Sequence, residues 1–293
     1  MLYIPLRARL RNNLRSSPLR KVYHLYKHRG LAPEDFILVG YSRSGSAWLG
    51  FMMSQVIWKV GRENTLGGHR FTPFLGYQRF AETRLPGGGR LIASHEPYRR
   101  EYRNAVWILR DPRDNAVSTY YHVQRVMGLK GTFSEYLPLY IKGVFNGSRW
   151  GDYVKSWLDS PLWAKGSIVR VRFEDMKADT AHELRRAVEI TGYQPTEEEI
   201  EDGIDAGSLE SMKKREQASH TLIHREADGG RINAVRKGAV GDWRSHFSER
   251  DLDIFYAANG AMMEAVGYST SAAAEPGAAE LSRQLSGATH VAK

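Results

Sequence analysis

Short apolar runs alternate with longer amphipathic stretches along the middle of the chain. The runs have the length and β-branched content of buried strands and cover residues 36–39, 91–93, 105–109 and 168–173. The stretches have helical periodicity and cover residues 48–60, 114–127, 181–190 and 252–266. Continuous apolar strands are typical of a parallel sheet that helices cover on both faces. The pattern therefore predicts a three-layer α/β fold with a central parallel sheet flanked by helices.

The two ends of the chain differ in composition from this middle. Residues 1–30 contain eight Lys or Arg and no Asp or Glu, whereas the remainder is nearly neutral, with 34 basic and 33 acidic residues. Residues 269–293 are rich in Ala, Gly and Ser and have no apolar periodicity. We therefore predict a basic N-terminal arm over 1–30, one domain over 31–268 and a disordered tail over 269–293.

Composition excludes several kinds of site. The chain has no Cys, so disulfides, thiolate nucleophiles and cysteine-ligated metals are excluded. No apolar run is long enough to span a bilayer, and the N-terminus lacks the apolar core of a signal peptide. The absence of Cys also suits a reducing compartment, so we expect a cytoplasmic protein.

The basic arm leaves several interpretations open. It can be a solvated, partly helical extension, or a surface that contacts anionic lipid. In the second case a small apolar foot would be formed by Leu2, Tyr3, Ile4 and Leu6. Contact with nucleic acid is less favoured, and an organellar transit peptide would have a similar composition. A peripheral position at a membrane is therefore compatible with the expected cytoplasmic location.

The first apolar run leads into Gly40-Tyr41-Ser42-Arg43-Ser44-Gly45-Ser46-Ala47-Trp48 and then into a predicted helix. A strand, a Gly-containing turn and a helix together aim free backbone N–H groups at an anion. Gly45 can adopt the positive φ of such a turn, and Ser44 and Ser46 add hydroxyl donors. The Gly spacing resembles an ATP-binding P-loop, but Ser46 stands where that loop has Lys. A P-loop kinase is thus disfavoured, although it remains the alternative enzyme.

A second segment begins where the third apolar run ends, at Arg110. Asp111 and Pro112 have the residue types of a helix N-cap and first helical position. Ser118 lies about two helical turns beyond Asp111 and shares its face. Arg110 and Ser118 can therefore hold one phosphate between them.

A third segment, Arg236-Lys237-Gly238-Ala239-Val240-Gly241-Asp242-Trp243, places two adjacent cations beside flexible Gly residues. Together the three segments resemble motifs of the sulfotransferases that use 3′-phosphoadenosine 5′-phosphosulfate (PAPS). The first resembles the loop Y-P-K-S-G-T-T-W, the second matches R-x-P-x-D-x-x-x-S and the third matches R-K-G-x-x-G-D-W, in family order. The resemblance covers about residues 35–268. It implies a P-loop-like fold of the cytosolic-type sulfotransferases, with PAPS as co-substrate and no metal.

The resemblance also implies a role for each matching residue. Around the 5′-phosphosulfate it places Arg43, Ser44, Gly45, Ser46 and Ala47. Against the adenine it places Trp48 and Phe173, the latter where the family has the Tyr of Y-E-D-M. Around the 3′-phosphate it places Arg110, Ser118, Arg236, Lys237 and Gly238.

His95 is the expected general base. It ends the predicted strand Leu91-Ile92-Ala93-Ser94-His95, which resembles the family segment that ends in T-H and carries the catalytic His. A His that titrates near neutrality suits deprotonation of an acceptor, and Glu96 is the alternative base. Arg43 replaces the Lys of the cytosolic branch, and because its guanidinium keeps its proton we assign it to charge stabilisation.

Acceptor contacts are implied in the long segment before His95. It contains four aromatic residues, Phe71, Phe74, Tyr77 and Phe80. Long loops tend to be functional, and these rings favour a partly apolar phenol, a lipid alcohol or a sugar-bearing amphiphile. The family's dimer motif needs Thr-Val where this chain has Ser248-Glu249, so a dimer of that kind is doubtful.

The sequence therefore predicts transfer of a sulfuryl group from PAPS to a hydroxyl or amine of a small-molecule, lipid or carbohydrate acceptor. Two alternatives remain open. One is a P-loop small-molecule kinase, which would bind Mg·ATP. The other is a membrane- or nucleic-acid-binding protein that acts through the basic arm, whose binding would be sensitive to salt.

Overall fold

A four-stranded parallel sheet forms the centre of the fold. The computed structural model describes residues 19–60, 71–81, 83–218 and 238–271. Within them the sheet has the order β2-β1-β3-β4, built from β1 Phe36–Gly40, β2 Leu91–Ser94, β3 Asn104–Leu109 and β4 Ile168–Arg172. The four predicted strands are confirmed. The prediction that the last one includes Phe173 is wrong, because Phe173 begins a helix.

Ten α-helices accompany the sheet in the described part of the chain. They are α1 Leu19–His28, α2 Ser46–Trp58, α3 Pro112–Met127, α4 Phe133–Ile141, α5 Trp150–Leu158, α6 Phe173–Ala178, α7 Thr180–Glu189, α8 Glu197–Ala206, α9 Leu209–Ala218 and α10 Glu249–Ala265. Local signals determine several of their starts. The side chains of Asp111, Asp179 and Ser248 each accept a backbone N–H of the first helical turn, which satisfies a donor that the helix leaves unpaired.

Helices cover both faces of the sheet, which confirms the three-layer prediction. Side chains alternate along β1, so Ile37 and Val39 face the opposite side from Leu38. The first pair packs in a core with side chains of α3, α4, α5 and α10. Leu38 packs in a second core with side chains of α2, α6, α7 and α8. All three are almost fully buried, and each such side chain stabilises the fold by about 1.5–3 kcal/mol.

The strand order places a crevice at the carboxyl ends of β1 and β3. The chain leaves β1 towards one edge of the sheet and leaves β3 towards the other edge. Ligands of open parallel sheets bind at such a switch point. Gly40 pairs with Ile108 in the parallel register of these two strands. The loop after Gly40 and the turn at Arg110 consequently border the same crevice.

Helix α1 packs on the domain through polar side chains. Nδ1 of His28 donates to the carbonyl oxygen of His24 at 2.7 Å, so its Nε2 accepts from the hydroxyl of Tyr102 at 2.9 Å. The predicted arm thus includes a helix that is attached to the domain. Residues 1–18 of the arm and 272–293 of the predicted tail lie outside the described residues, so both boundaries stay predictions. None of the described helices is long and apolar enough to cross a bilayer.

Candidate active site

The loop after β1 forms an anion-binding turn at the N-terminus of α2. Gly45 has a φ of 101° and Arg43 a φ of 72°, so both adopt the left-handed conformation. The backbone N–H groups of Gly45, Ser46 and Ala47 have no acceptor among the described residues. They lie at the positive end of the α2 dipole. This turn has the geometry that binds a phosphate or sulfate group.

Position 45 requires glycine for two reasons. Its positive φ is strained for other residues, and a Cβ there would lie 2.8 Å from Cδ2 of Phe173. The indole of Trp48 packs edge to face on Phe173, with 5.8 Å between ring centroids, and its Nε1 donates to the carbonyl oxygen of Gly207 at 2.9 Å. The structure therefore brings together the two rings that the resemblance assigns to the adenine.

Arg110 connects the loop with the downstream glycine segment. Its Nη1 donates to the carbonyl oxygen of Arg43 at 3.3 Å and its Nη2 to that of Ala239 at 3.0 Å. The guanidinium lies 4.4 Å from the ring centroid of Phe173. Its buried Nε has no hydrogen-bond acceptor among the described residues. Because a buried donor without an acceptor costs free energy, this atom fits a site in which an anion completes the bonding.

The side chain of Arg43 reaches α3. Its Nε donates to Oγ of Ser118 at 3.5 Å, at the limit of a hydrogen bond. Arg110 and Ser118 thus both contact Arg43, one at its carbonyl and one at its guanidinium. Two other residues assigned to the 3′-phosphate, Arg236 and Lys237, lie outside the described residues. Gly238 is described and has a φ of 59°.

A buried carboxylate that was not among the predicted site residues attaches the downstream segment to α3. The two oxygens of Asp114 accept the backbone N–H groups of Gly241 at 2.7 Å and Trp243 at 2.9 Å. Asp114 is 1% exposed, and this burial raises the pKa of its carboxyl group, as does the nearby Asp111. The guanidinium of Arg113 also lies 4.0 Å from the ring centroid of Trp243. These contacts hold the segment that begins at Gly238 against the start of α3.

Asn115 supports the phosphate loop from the core side. Its Nδ2 donates to the carbonyl oxygen of Ser42 at 2.9 Å and to Oγ of Ser44 at 3.1 Å. Its Oδ1 accepts from the hydroxyl of Tyr140 at 3.0 Å. A fully buried amide with this set of partners rigidifies the loop. Sequence reasoning missed Asn115, because nothing local distinguishes it from other polar helix residues.

His95 follows β2 at the carboxyl edge of the sheet, and its ring is held by β1. Its Nδ1 lies 2.7 Å from the carbonyl oxygen of Gly40. A carbonyl can only accept, so Nδ1 carries the proton and the neutral ring has its lone pair on Nε2. Burial lowers the pKa of His95 and the charge of Arg43 adds to this effect, whereas the Gly40 hydrogen bond and Glu96 oppose it. The neutral, proton-accepting form is therefore favoured at neutral pH.

Glu96, the alternative base, is turned towards α1. Its Oε1 accepts from Nζ of Lys27 at 3.1 Å, and its Oε2 lies 3.9 Å from Nδ1 of His24. The carboxylate is engaged in this ion pair, whereas the proton-accepting nitrogen of His95 has no hydrogen bond to a described residue. The arrangement favours His95 over Glu96 as the base.

The segment before His95 lies along the outer edge of β2. Phe74 pairs with Ala93 in a parallel bridge, and the bridge is reinforced by a hydrogen bond from Leu75 N to Ala93 O at 2.8 Å. The ring of Phe74 packs edge to face on His95, with 5.7 Å between centroids, and is 41% exposed. An exposed apolar ring thus adjoins the candidate base. Within the described ranges, no group of three or more His, Asp or Glu side chains is arranged to hold a metal ion.

The domain also matches known proteins in sequence. The family model described as a sulfotransferase domain matches residues 33–267. Sulfotransferase 1E1 of Cavia porcellus is 28% identical over 244 residues, which cover 74% of this chain and 78% of the relative. Sulfotransferase 2A1 of Homo sapiens is 25% identical over 256 residues, which cover 82% of this chain and 87% of the relative.

Solved structures share the fold. Mouse sulfotransferase SULT7A1 complexed with PAP superposes with a TM-score of 0.62 at 21% identity, covering 81% of this chain and 87% of that one. Retinol dehydratase in a complex with retinol and PAP superposes with a TM-score of 0.65 at 18% identity, covering 87% of this chain and 88% of that one. The family match spans the sheet, the loop after β1, His95 and the downstream glycine segment. The chain therefore belongs to the PAPS-dependent sulfotransferase family.

Proposed function

We propose that this enzyme transfers a sulfuryl group from PAPS to a hydroxyl or amine of a partly apolar acceptor, with His95 as the general base. The observation that carries the role of His95 is the hydrogen bond from its Nδ1 to the carbonyl oxygen of Gly40. This bond makes Nε2 the proton acceptor. Gly40 is also the last residue of β1, so the base and the phosphate loop are attached to the same strand end.

The donor fits the described cradle. The backbone N–H groups of Gly45, Ser46 and Ala47, which have no acceptor among the described residues, would hold its 5′-phosphosulfate, with the hydroxyls of Ser44 and Ser46 nearby. The adenine would lie against Trp48 and Phe173. The 3′-phosphate would complete the bonding of Arg110, with further contacts proposed from the sequence motifs for Ser118, Arg236, Lys237 and Gly238.

The chemistry follows from these positions. PAPS supplies the sulfuryl group and a phosphate leaving group. Nε2 of His95 takes the proton of the acceptor while the acceptor oxygen or nitrogen bonds to sulfur and the bond from sulfur to the phosphate oxygen breaks. The Arg43 guanidinium and the loop N–H groups stabilise the negative charge that develops on the sulfuryl oxygens and the departing phosphate.

The acceptor is proposed to be an apolar or amphiphilic alcohol, phenol or amine. The position of Phe74 supports this, because its partly exposed ring packs on the candidate base. Retinol dehydratase, which shares the fold, has been crystallised with androsterone and with retinol, both apolar alcohols. A cytoplasmic location stays a prediction of the sequence.

The first test is thermal stability in the presence of adenosine 3′,5′-bisphosphate, ADP or Mg·ATP. A ligand at a hundred times its Kd stabilises the fold by about 2.7 kcal/mol. We expect a metal-independent rise in Tm with the bisphosphate and little with the other two. A rise with Mg·ATP alone would instead favour the P-loop kinase, and no rise with any of them would contradict donor binding.

Transfer itself is tested with PAPS and a panel of phenols, sterols and long-chain alcohols and amines. Formation of a sulfated product supports the proposal and identifies the acceptor class. Binding of the bisphosphate without transfer to any acceptor of the panel would contradict the proposed acceptor class and leave the donor site intact.

A further inference from the structure

Helix α1 exposes several apolar side chains and turns polar ones towards the domain, over the part of the helix whose side chains are described. Four apolar or aromatic side chains are between 59% and 69% exposed, namely Val22, Tyr23, Leu25 and Tyr26. Their spacing along the helix places them on one face. A helix at the surface of a domain ordinarily turns such a face towards the core. The arrangement of α1 is the reverse.

Specific polar contacts hold α1 in this orientation. Its inner face carries His24, Lys27 and His28, of which both His residues are buried. Lys27 donates to Glu96, and His28 accepts from the hydroxyl of Tyr102. Turning the helix to bury its apolar face would break these bonds and leave the carboxylate of Glu96 without its ammonium partner. The exposed apolar face is therefore fixed by the fold.

A short turn beside α1 exposes two more aromatic side chains. The side chain of Gln78 donates to the carbonyl oxygens of Lys27 at 2.7 Å and Arg29 at 2.9 Å, which joins the turn to the end of α1. Tyr77 and Phe80 are 61% and 56% exposed, and their ring centroids are 6.4 Å apart. The outer face is defined here as Val22, Tyr23, Leu25, Tyr26, Tyr77 and Phe80.

We propose that the outer face lies on an anionic lipid surface. Contiguous exposed apolar side chains mark interaction sites, and Tyr and Phe suit the boundary between headgroups and acyl chains. The positive charge of the N-terminal residues favours an anionic lipid surface as the binding partner of this face. Residues 1–30 hold eight Lys or Arg and no Asp or Glu, which is the composition that anionic lipids attract. A protein partner would also cover the apolar side chains, but an anionic lipid surface accounts for the apolar face and for the excess of basic residues together.

The outer face also borders the acceptor side of the site. Tyr77 follows three residues after Phe74, whose ring contacts His95, and Lys27 on the inner side of α1 pairs with the neighbour of His95. A lipid surface at the outer face would therefore lie close to the entry of an amphiphilic acceptor. That consequence rests on the proposed function, whereas the docking itself does not.

Flotation of the full-length protein with phosphatidylcholine vesicles, with and without phosphatidylserine, tests the proposal. We expect binding only to the vesicles that contain phosphatidylserine, with less binding as salt is raised. The double variant Leu25→Ser with Tyr26→Ser should lower the partition coefficient by at least about 10-fold, because both side chains lose their apolar contact with lipid. Ile254→Ser is the matched control, since Ile254 is 43% exposed but lies on α10, outside the outer face. This variant should bind to vesicles as the unmodified chain does.

Three outcomes would overturn the proposal. Unchanged binding of the double variant would show that the outer face is not used. Equal binding to pure phosphatidylcholine would exclude the role of anionic lipid. Absence of vesicle binding, with a dimer in sedimentation that the double variant loses, would assign the face to a second copy of the chain. Thermal stability with the bisphosphate confirms that each variant folds, and turnover on a water-soluble phenol tests the proposed function separately.

Discussion

Oε1 of Glu174 accepts the backbone N–H of Asp111 at 2.9 Å, and through this bond the start of α6 contacts the start of α3. The second oxygen of Glu174 accepts from the hydroxyl of Tyr268 at 2.8 Å, just after α10. One partly buried carboxylate thus joins three segments around the base of the candidate 3′-phosphate site. Burial and the charge of Asp111 raise the pKa of Glu174 to about 7, although the two hydrogen bonds and Arg172 oppose the shift.

This pKa predicts a pH-dependent contribution to stability. Glu174 binds its proton more tightly in the folded state than in the unfolded state, where its pKa is near 4.5. Its favourable contribution is therefore complete below about pH 4.5 and is lost as the pH rises through about 7, by up to about 3 kcal/mol. Glu174→Gln should abolish this part of the pH dependence of the free energy of unfolding, and it should raise that free energy at pH 8. Urea denaturation from pH 5 to pH 8 measures the free energy of unfolding of both proteins. The same pH dependence in the variant and the unmodified chain would contradict the assignment to Glu174.

Replacement of the proposed base, His95, has a defined kinetic signature. His95→Ala should lower kcat by at least about 100-fold and leave the Kd of adenosine 3′,5′-bisphosphate nearly unchanged, because the imidazole is proposed to act on the acceptor and not on the nucleotide. Initial-rate measurements give kcat, and isothermal titration calorimetry gives the Kd of the bisphosphate. His182→Ala is the control, since that side chain is 62% exposed on α7 and remote from the loop in sequence. Near-normal turnover of His95→Ala would transfer the role to Glu96 or another group.

The pH profile of turnover should reflect the same residue. His95 must be neutral to accept a proton, and its surroundings lower its pKa from the ordinary 6.5. Burial is the main cause of this lowering of the pKa, and Arg43 and Lys27 add to it, whereas the hydrogen bond to Gly40 and the charge of Glu96 oppose it. The acid limb of kcat/KM should consequently have its midpoint below pH 6.5, with the base active throughout the neutral range. Arg43→Gln should move that midpoint upward, and a midpoint that stays in place would remove Arg43 from the environment of the base.

Asp114 is expected to be a positioning residue for the donor. In Asp114→Asn one amide group replaces an oxygen acceptor, so one of the backbone N–H groups of Gly241 and Trp243 loses its partner. The segment that begins at Gly238 should then be less well held, and the Kd of the bisphosphate should rise about 10-fold. Calorimetric titration checks this, with exposed Asp253→Asn on α10 as the control. Equal affinities of the two variants would limit Asp114 to a role in folding.

Much of the fold was predictable because its signals are local. Strands β1, β2 and β3 are almost entirely apolar, as is typical of buried strands in a parallel sheet, and the N-caps Asp111, Asp179 and Ser248 act on the turn that follows them. The loop from Gly40 to Trp48 was predictable for the same reason, since a strand, a left-handed glycine and a helix lie within a few residues.

The remaining features depend on contacts between residues far apart in the chain. Asp114 binds Gly241 and Trp243, which lie more than a hundred residues further along the chain, so no local sequence pattern predicts these hydrogen bonds. The orientation of α1 was unpredictable in the same way. Its apolar positions would normally indicate the buried face, but Glu96 and Tyr102 hold the opposite, polar face against the domain.

The bond between Nδ1 of His95 and the carbonyl of Gly40 has a mechanical consequence. The ring of His95 and the phosphate loop are both attached to Gly40, the last residue of β1. This strand is hydrogen-bonded to a neighbouring strand on each side. When thermal motion displaces Gly40, the imidazole of His95 and the phosphate loop move with it. The distance between these two groups therefore changes less than the position of either group. Loops elsewhere at this edge of the sheet can therefore diverge in sequence or change shape without altering the spacing between the proposed base and the phosphate loop.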